Sequence, residues 1–185
     1  MIISGYQGIG KSTLAGKDNC IDLESSNFWE DYKRPDDWYK IYCNIAIELS
    51  KQGYIVFVSS HEKVRRELEK SNQLAFAVFP SLHLRDEWVR KLEKRYEESN
   101  LYKDYKAYKN AEDHYKENIM EIMRGNLTFY EITKMDYDLK DIVEFLKTKS
   151  VGWGYNVLFE GKYKGDTSHP TPTISPTHID SEDDK

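Results

Sequence analysis

Apolar residues run along this chain in two alternating textures. Short, nearly continuous apolar runs, Met1–Ser4, Cys20–Glu24, Tyr54–Val58, Leu74–Phe79 and Leu127–Ile132, are of strand length. Between them the apolar positions recur every three to four residues, as a helix with one buried face requires. Trp38, Ile41, Tyr42, Ile45 and Leu49 predict a helix that starts after Pro35-Asp36-Asp37, with an acidic cap candidate, and stops at Gly53. Glu62–Lys70 is a short charged helix. Trp88, Leu92 and Tyr96 place a helix over Arg85–Ser99, flanked on its buried face by Arg85 and Arg95, with Arg90 and Lys94 towards solvent. Tyr115, Ile119 and Ile122 predict a helix over Ala111–Met123 that ends at Gly125; Leu139, Ile142, Val143 and Leu146 predict a last helix over Tyr137–Lys147.

Five strands alternating with helices predict an α/β fold: a five-stranded parallel sheet in a three-layer α/β/α sandwich. Ligands of such sheets bind beyond the C-terminal strand ends. The expected domain spans 1–150, with a helical lid around 81–110. The texture changes over 151–185, which holds three of the five prolines (Pro170, Pro172, Pro176) and the acidic end Asp180-Ser181-Glu182-Asp183-Asp184. That extension is expected to be largely disordered from about 165, with the apolar 151–159 segment docking on the domain or a partner.

A chain of 185 residues can close a core without disulfides or metals. No apolar run reaches the roughly 20 residues of a membrane helix, so no membrane partner is expected. The first strand starts without a signal-peptide pattern, and Cys20 and Cys43 are the only cysteines. Both features predict a cytoplasmic protein without a zinc site. A formal net charge of −5 disfavours broad nucleic-acid binding.

The one sharp motif lies at the first strand's end. Gly5-Tyr6-Gln7-Gly8-Ile9-Gly10-Lys11-Ser12 fits G-x-x-x-x-G-K-[ST], the phosphate-binding or Walker A pattern. Gly5, Gly8 and Gly10 let backbone N–H groups close on phosphate oxygens. The predicted phosphate contacts are Gly5, Gln7, Gly8, Ile9, Gly10, Lys11, Ser12 and Thr13. Lys11 reaches the β- and γ-phosphates, and the Ser12 hydroxyl ligates Mg²⁺. The helix that follows is short, because Gly16, Asp18 and Asn19 interrupt it, and its N-terminus is expected to add partial positive charge.

Asp22 and Glu24 share one face of an extended segment, either as holders of Mg²⁺ water or substrate hydroxyls or as a solvated strand end. His61 is either a general base at its strand end or the cap of the Glu62–Lys70 helix. Residues 100–112 interleave tyrosines and lysines; packed tyrosines with lysines in water are weighed there against binding of phosphate or nucleic acid.

With these pieces the chain resembles P-loop kinases of the nucleoside monophosphate kinase and small-metabolite kinase group, over about residues 1–147. Asp22-Leu23-Glu24 resembles the D-x-D of shikimate-kinase-like members, and Val58-Ser59-Ser60-His61 resembles the strand end of gluconate-kinase-like enzymes. No Asp closes the third strand. The resemblance implies ATP and Mg²⁺ as cofactors, and phosphoryl transfer to a small acceptor, foremost a (deoxy)nucleoside monophosphate. It implies Lys11, Asp22, Arg85 and Arg95 as catalytic residues. It also implies Ser12, Asp22 and Glu24 at the metal, and Lys33 and Arg34 at the acceptor. A polynucleotide 5′-kinase or P-loop ATPase, and a non-catalytic nucleotide-binding interaction module, are the alternatives.

Overall fold

A computed structural model describes residues 1–28, 35–71 and 73–150. All of them belong to one unit, Met1–Gly152. The strands are β1 (Ile2–Gly5), β2 (Cys20–Asp22), β3 (Ile55–Ser59), β4 (Ala75–Pro80) and β5 (Thr128–Ile132). Six α-helices stand among the described residues: α1 (Lys11–Leu14), α2 (Trp38–Lys51), α3 (Glu62–Lys70), α4 (Arg85–Ser99), α5 (Tyr102–Arg124) and α6 (Leu139–Ser150). No described helix is long and apolar enough to cross a membrane.

The strands form one all-parallel sheet in the order β2-β3-β1-β4-β5. β1 lies at the centre because it is apolar on both faces, as a strand covered on both sides must be. Successive residues serve different cores: Ile2, Val56 and Val58 pack with α2 and α3, and Ile3, Phe57 and Phe76 with α4, α5 and α6. This arrangement is compatible with the expected three-layer sandwich. The connection out of β1 runs past β3 to β2, and the one out of β3 runs back past β1 to β4. The chain therefore diverges at the C-terminal ends of β1 and β3, where open α/β sheets hold ligands.

Three details depart from the periodicity. Asp37 takes the N-cap position of α2 without a side-chain cap bond and pairs with Lys40 at 3.2 Å instead. Tyr42, Cys43 and Ala46 are buried, whereas Ile41 (59% exposed) and Ile45 (38%) lie outside the core. The helix expected over Ala111–Met123 starts earlier, at Tyr102, as α5, with non-helical backbone at His114 (φ −135°, ψ 22°). Cys20 and Cys43 are free and buried.

α4 and α5 form an antiparallel hairpin between β4 and β5. Asp104, 4% exposed, fastens its tip by accepting from the Arg95 guanidinium and from Ser99 Oγ at 2.6 Å. Replacing Asp104 with alanine is expected to cost about 1–3 kcal/mol, because both donors lose their acceptor in a partly buried place. Urea unfolding measures this, and an unchanged midpoint contradicts it.

Candidate functional site

The glycine loop after β1 is shaped by contacts that leave no room for side chains. At Gly8 the backbone has φ +83°, and a Cβ would stand 2.9 Å from Leu92 Cδ2 and 3.2 Å from Trp88 Nε1. At Gly5 a Cβ would collide with Ile9 Cδ1. The loop's outer carbonyls are taken by neighbours. Trp88 Nε1 donates to Gln7 O at 2.9 Å and the Tyr137 hydroxyl to Gly8 O at 3.4 Å. Gln7 Nε2 donates to Ala107 O at 2.8 Å, which ties the loop to α5. By contrast, the amides of Gly8, Gly10 and Lys11 make no hydrogen bond with another described residue.

Lys11 Nζ lies back along the loop, donating to Gly5 O at 2.8 Å and Tyr6 O at 3.3 Å. It forms no ion pair among the described residues. Burial pushes its pKa below the ordinary lysine value, Asp22 and Glu24 pull it up, and Arg95 adds to the lowering. α1 has only four residues and starts from Gly10 in the left-handed region (φ 97°). One helical turn has little macrodipole, so the expected helix-terminus contribution is minor and positive charge here comes chiefly from Lys11.

Trp88 stacks on Tyr137 (centroids 5.9 Å, 15° between planes), and Lys91 Nζ lies 4.5 Å and 5.0 Å from the two ring centroids. Trp88→Phe leaves the Gln7 carbonyl without its donor. A stability loss of about 1–3 kcal/mol is expected, with weaker phosphate binding as the loop loses its support. Thermal unfolding and phosphate titration of that variant measure the two effects.

A cleft of about 1310 Å³ opens beyond the strand ends, lined by the loop, the ends of β2 and β3, α4 and α5. Single small-ligand pockets run to roughly 1,000 Å³, so the cleft is large for one small ligand. Lys11, Ser12, Thr13, Asp22, Glu24 and Arg95 all line it. Asp22 has no hydrogen bond or ion pair among the described residues. Burial pushes its carboxyl above the usual range and Lys11 opposes this. Glu24 is engaged: Oε1 accepts from Ser26 N at 3.3 Å and Oε2 faces Lys103 Nζ at 3.4 Å. Burial raises its pKa, but those partners outweigh burial and hold it below the usual value.

Arg85 is not brought into the cleft. Its guanidinium donates to Asp86 Oδ1 at 3.0 Å and to Glu112 O at 2.9 Å, joining the two hairpin helices. His61 caps α3, its Nδ1 accepting from Lys63 N at 3.3 Å. Lys33 and Arg34, like all of 151–185, lie outside the described residues. The tyrosine–lysine segment meets the packed-tyrosine expectation in part: Tyr108 packs against the core, and Lys103 and Lys106 are exposed. Lys103, Lys106 and Lys109 line the cleft, while Tyr102 (49% exposed) and Tyr105 (38%) sit at the hairpin tip. Lys94 is exposed, as expected, and stands on the cleft rim.

Lys91, Tyr6 and Asn118 also belong to the cleft and were not singled out by pattern. Lys91 had a usable signal, three residues after Trp88 on the same helix face. Tyr6 and Asn118 meet only through the tertiary fold. Among the described residues no three His, Cys, Asp or Glu side chains gather as a metal cage. Mg²⁺ carried by phosphates needs only one or two carboxylates, and Asp22, which lines the same cleft as the exposed Ser12, fits that. The free loop amides and the Lys11 ammonium likewise fit phosphate oxygens. No protein family, no curated protein and no solved structure compared with the chain matches it.

Proposed function

We propose that the protein is an ATP- and Mg²⁺-dependent phosphotransferase of P-loop kinase type, acting on a small acceptor. The observation that carries this reading is the glycine loop. Its amides at Gly8, Gly10 and Lys11 have no partner among the described residues, and an ammonium without an ion pair lies against it. Donors left open to a cleft in this way are suited to an anion.

In this reading the loop amides and Lys11 bind the β- and γ-phosphates, and Thr13 closes the loop's end. Ser12 and Asp22 would hold Mg²⁺, which would supply neutralisation of phosphate charge. Arg95 offsets negative charge developing at the transferred group. Such transfer needs positioning and charge more than covalent help. The test is calorimetric titration with MgATP, followed by ADP release over an acceptor panel. Absence of ATP binding by the wild-type chain contradicts the proposal and favours an interaction module. A rate independent of acceptor favours an ATPase.

A second reading, a polynucleotide 5′-kinase, is favoured by the exposed tyrosines of the hairpin tip beside Lys103 and Lys106, since single strands bind by stacking and charge. It predicts binding of a 5′-hydroxyl oligonucleotide that weakens steeply with salt.

A further inference from the structure

We infer that Lys91 is a further phosphate-binding residue of the nucleotide site, reaching the glycine loop from α4, where no motif marks it. This deepens the phosphotransferase reading and rests on it.

Trp88, Lys91 and Leu92 share one face of α4. Trp88 and Leu92 press on Gly8, so the turn that carries Lys91 is docked on the middle of the loop. The Lys91 ammonium donates to the Tyr137 hydroxyl at 3.0 Å, and that hydroxyl donates in turn to Gly8 O. Lys91 therefore stands two hydrogen bonds from Gly8, whose own amide has no partner among the described residues. Lys11 holds the beginning of the same loop, at Gly5 O and Tyr6 O.

The charge of Lys91 is not spent inside the protein. Among the described residues it makes no ion pair, and its company is an uncharged hydroxyl and the faces of Trp88 and Tyr137. The other cations of α4 that line the cleft are paired, Lys94 with Glu98 at 3.8 Å and Arg95 with Asp104. Lys106 of α5 also lines the cleft, but among the described residues no hydrogen bond or ring holds it in place. Lys91 is both uncompensated and positioned. It lines the cleft whereas Trp88 and Tyr137 do not, so the cation is what this cluster presents there. An ammonium has three donors. One goes to Tyr137, and two are available to the cleft.

Its surroundings favour an anion. Burial pushes its pKa below the ordinary lysine value, and Arg95, one turn further along and lining the same cleft, adds to the lowering. Like charges four residues apart on a helix repel, and burial penalises an ammonium. A phosphate beside them answers both, because its charge offsets theirs and its oxygens accept the open donors. A cation over an aromatic face is held more weakly than one on a phosphate, so the rings keep Lys91 in place without competing for it.

The test uses the full chain with Mg²⁺, and its probes are ATP and inorganic tripolyphosphate. In the wild-type protein, tripolyphosphate at about ten times its Kd is expected to slow reductive methylation of Lys91 by about tenfold. Mass spectrometry of the peptide reads this, with Lys94 on the cleft rim slowed by less than about twofold. Calorimetry of Lys91→Met is expected to show ATP bound about tenfold or more weakly, the worth of one hydrogen bond between charged groups. Lys94→Met removes the same charge nearby and is expected to stay within about twofold of wild type. An unprotected Lys91 while tripolyphosphate is bound overturns the inference. So does a loss of affinity in Lys91→Met no greater than in Lys94→Met, which marks a long-range effect of cleft charge. The labelling is done on the unaltered chain and decides even where a variant fails to fold. If the wild-type chain binds neither probe, the phosphotransferase reading itself falls, whereas binding without protection of Lys91 removes only this residue.

Discussion

Lys11→Met is expected to abolish any stabilisation by nucleotide and to leave the unliganded fold close to wild type. A ligand at one hundred times its Kd stabilises by about 2.7 kcal/mol. For a domain of this size that raises the wild-type Tm by roughly 5–10 °C. In the variant the rise is expected to vanish, and turnover to fall by about two to three orders of magnitude, as when a preorganised donor to a developing charge is removed. Without ligand, two effects oppose one another. The bonds from Nζ to Gly5 O and Tyr6 O are lost, and the desolvation of an ammonium without an ion pair is relieved. The net change is expected within about 1 kcal/mol.

The pH dependence gives a further check. Burial lowers the folded-state pKa of Lys11, so between that value and the unfolded one the unfolded chain binds more protons. Wild-type stability therefore gains from rising pH across that alkaline window, and the difference between wild type and Lys11→Met carries that slope. A variant that still shifts with ATP sinks the assignment of Lys11.

Gly8→Ala is expected to be the most damaging small substitution in the loop. A side chain at φ +83° costs about 1–2 kcal/mol. The added Cβ must also displace Leu92 Cδ2, which would lie 2.9 Å away, and overpacking of this kind costs about 1–3 kcal/mol. The sum, about 2–5 kcal/mol, is a drop of roughly 5–15 °C. Gly16→Ala supplies the control, since its φ is +79° but nothing lies within 4 Å of its Cβ position. Only the conformational penalty applies there. Equal unfolding midpoints for the two variants in urea would show that Leu92 and Trp88 do not press on the loop.

The elements were legible because each is set by local pattern. Arg85–Ser99 and Glu62–Lys70 begin and end where spacing and charge predict, and the short helix after the loop follows from Gly16, Asp18 and Asn19. Pattern failed where a second layer decides. Ile41 and Ile45 fit the helical stripe of α2, but Tyr42, Cys43 and Ala46 fill the space over β3. In residues 102–109 tyrosines and lysines share one period, so amphipathicity does not say which side faces in. The hairpin with α4 does: Asp104 docks on Arg95 and turns the lysines to the cleft. The glycine loop was visible as a motif, whereas the Tyr6–Asn118 juxtaposition depends on α5 packing against the loop after β1, a proximity that no sequence spacing encodes.

Gln7 accepts from Trp88 of α4 through its carbonyl and donates to Ala107 of α5 through its amide. The phosphate cradle is thus not a portable cassette. Grafted with its strand and its single helical turn onto another sheet, the same eight residues would lack the two helices that hold Gln7 by its carbonyl and its side chain. What resembles an eight-residue signature in the chain is, as a physical object, assembled from the loop and two helices whose contacts lie 81 and 100 residues further along.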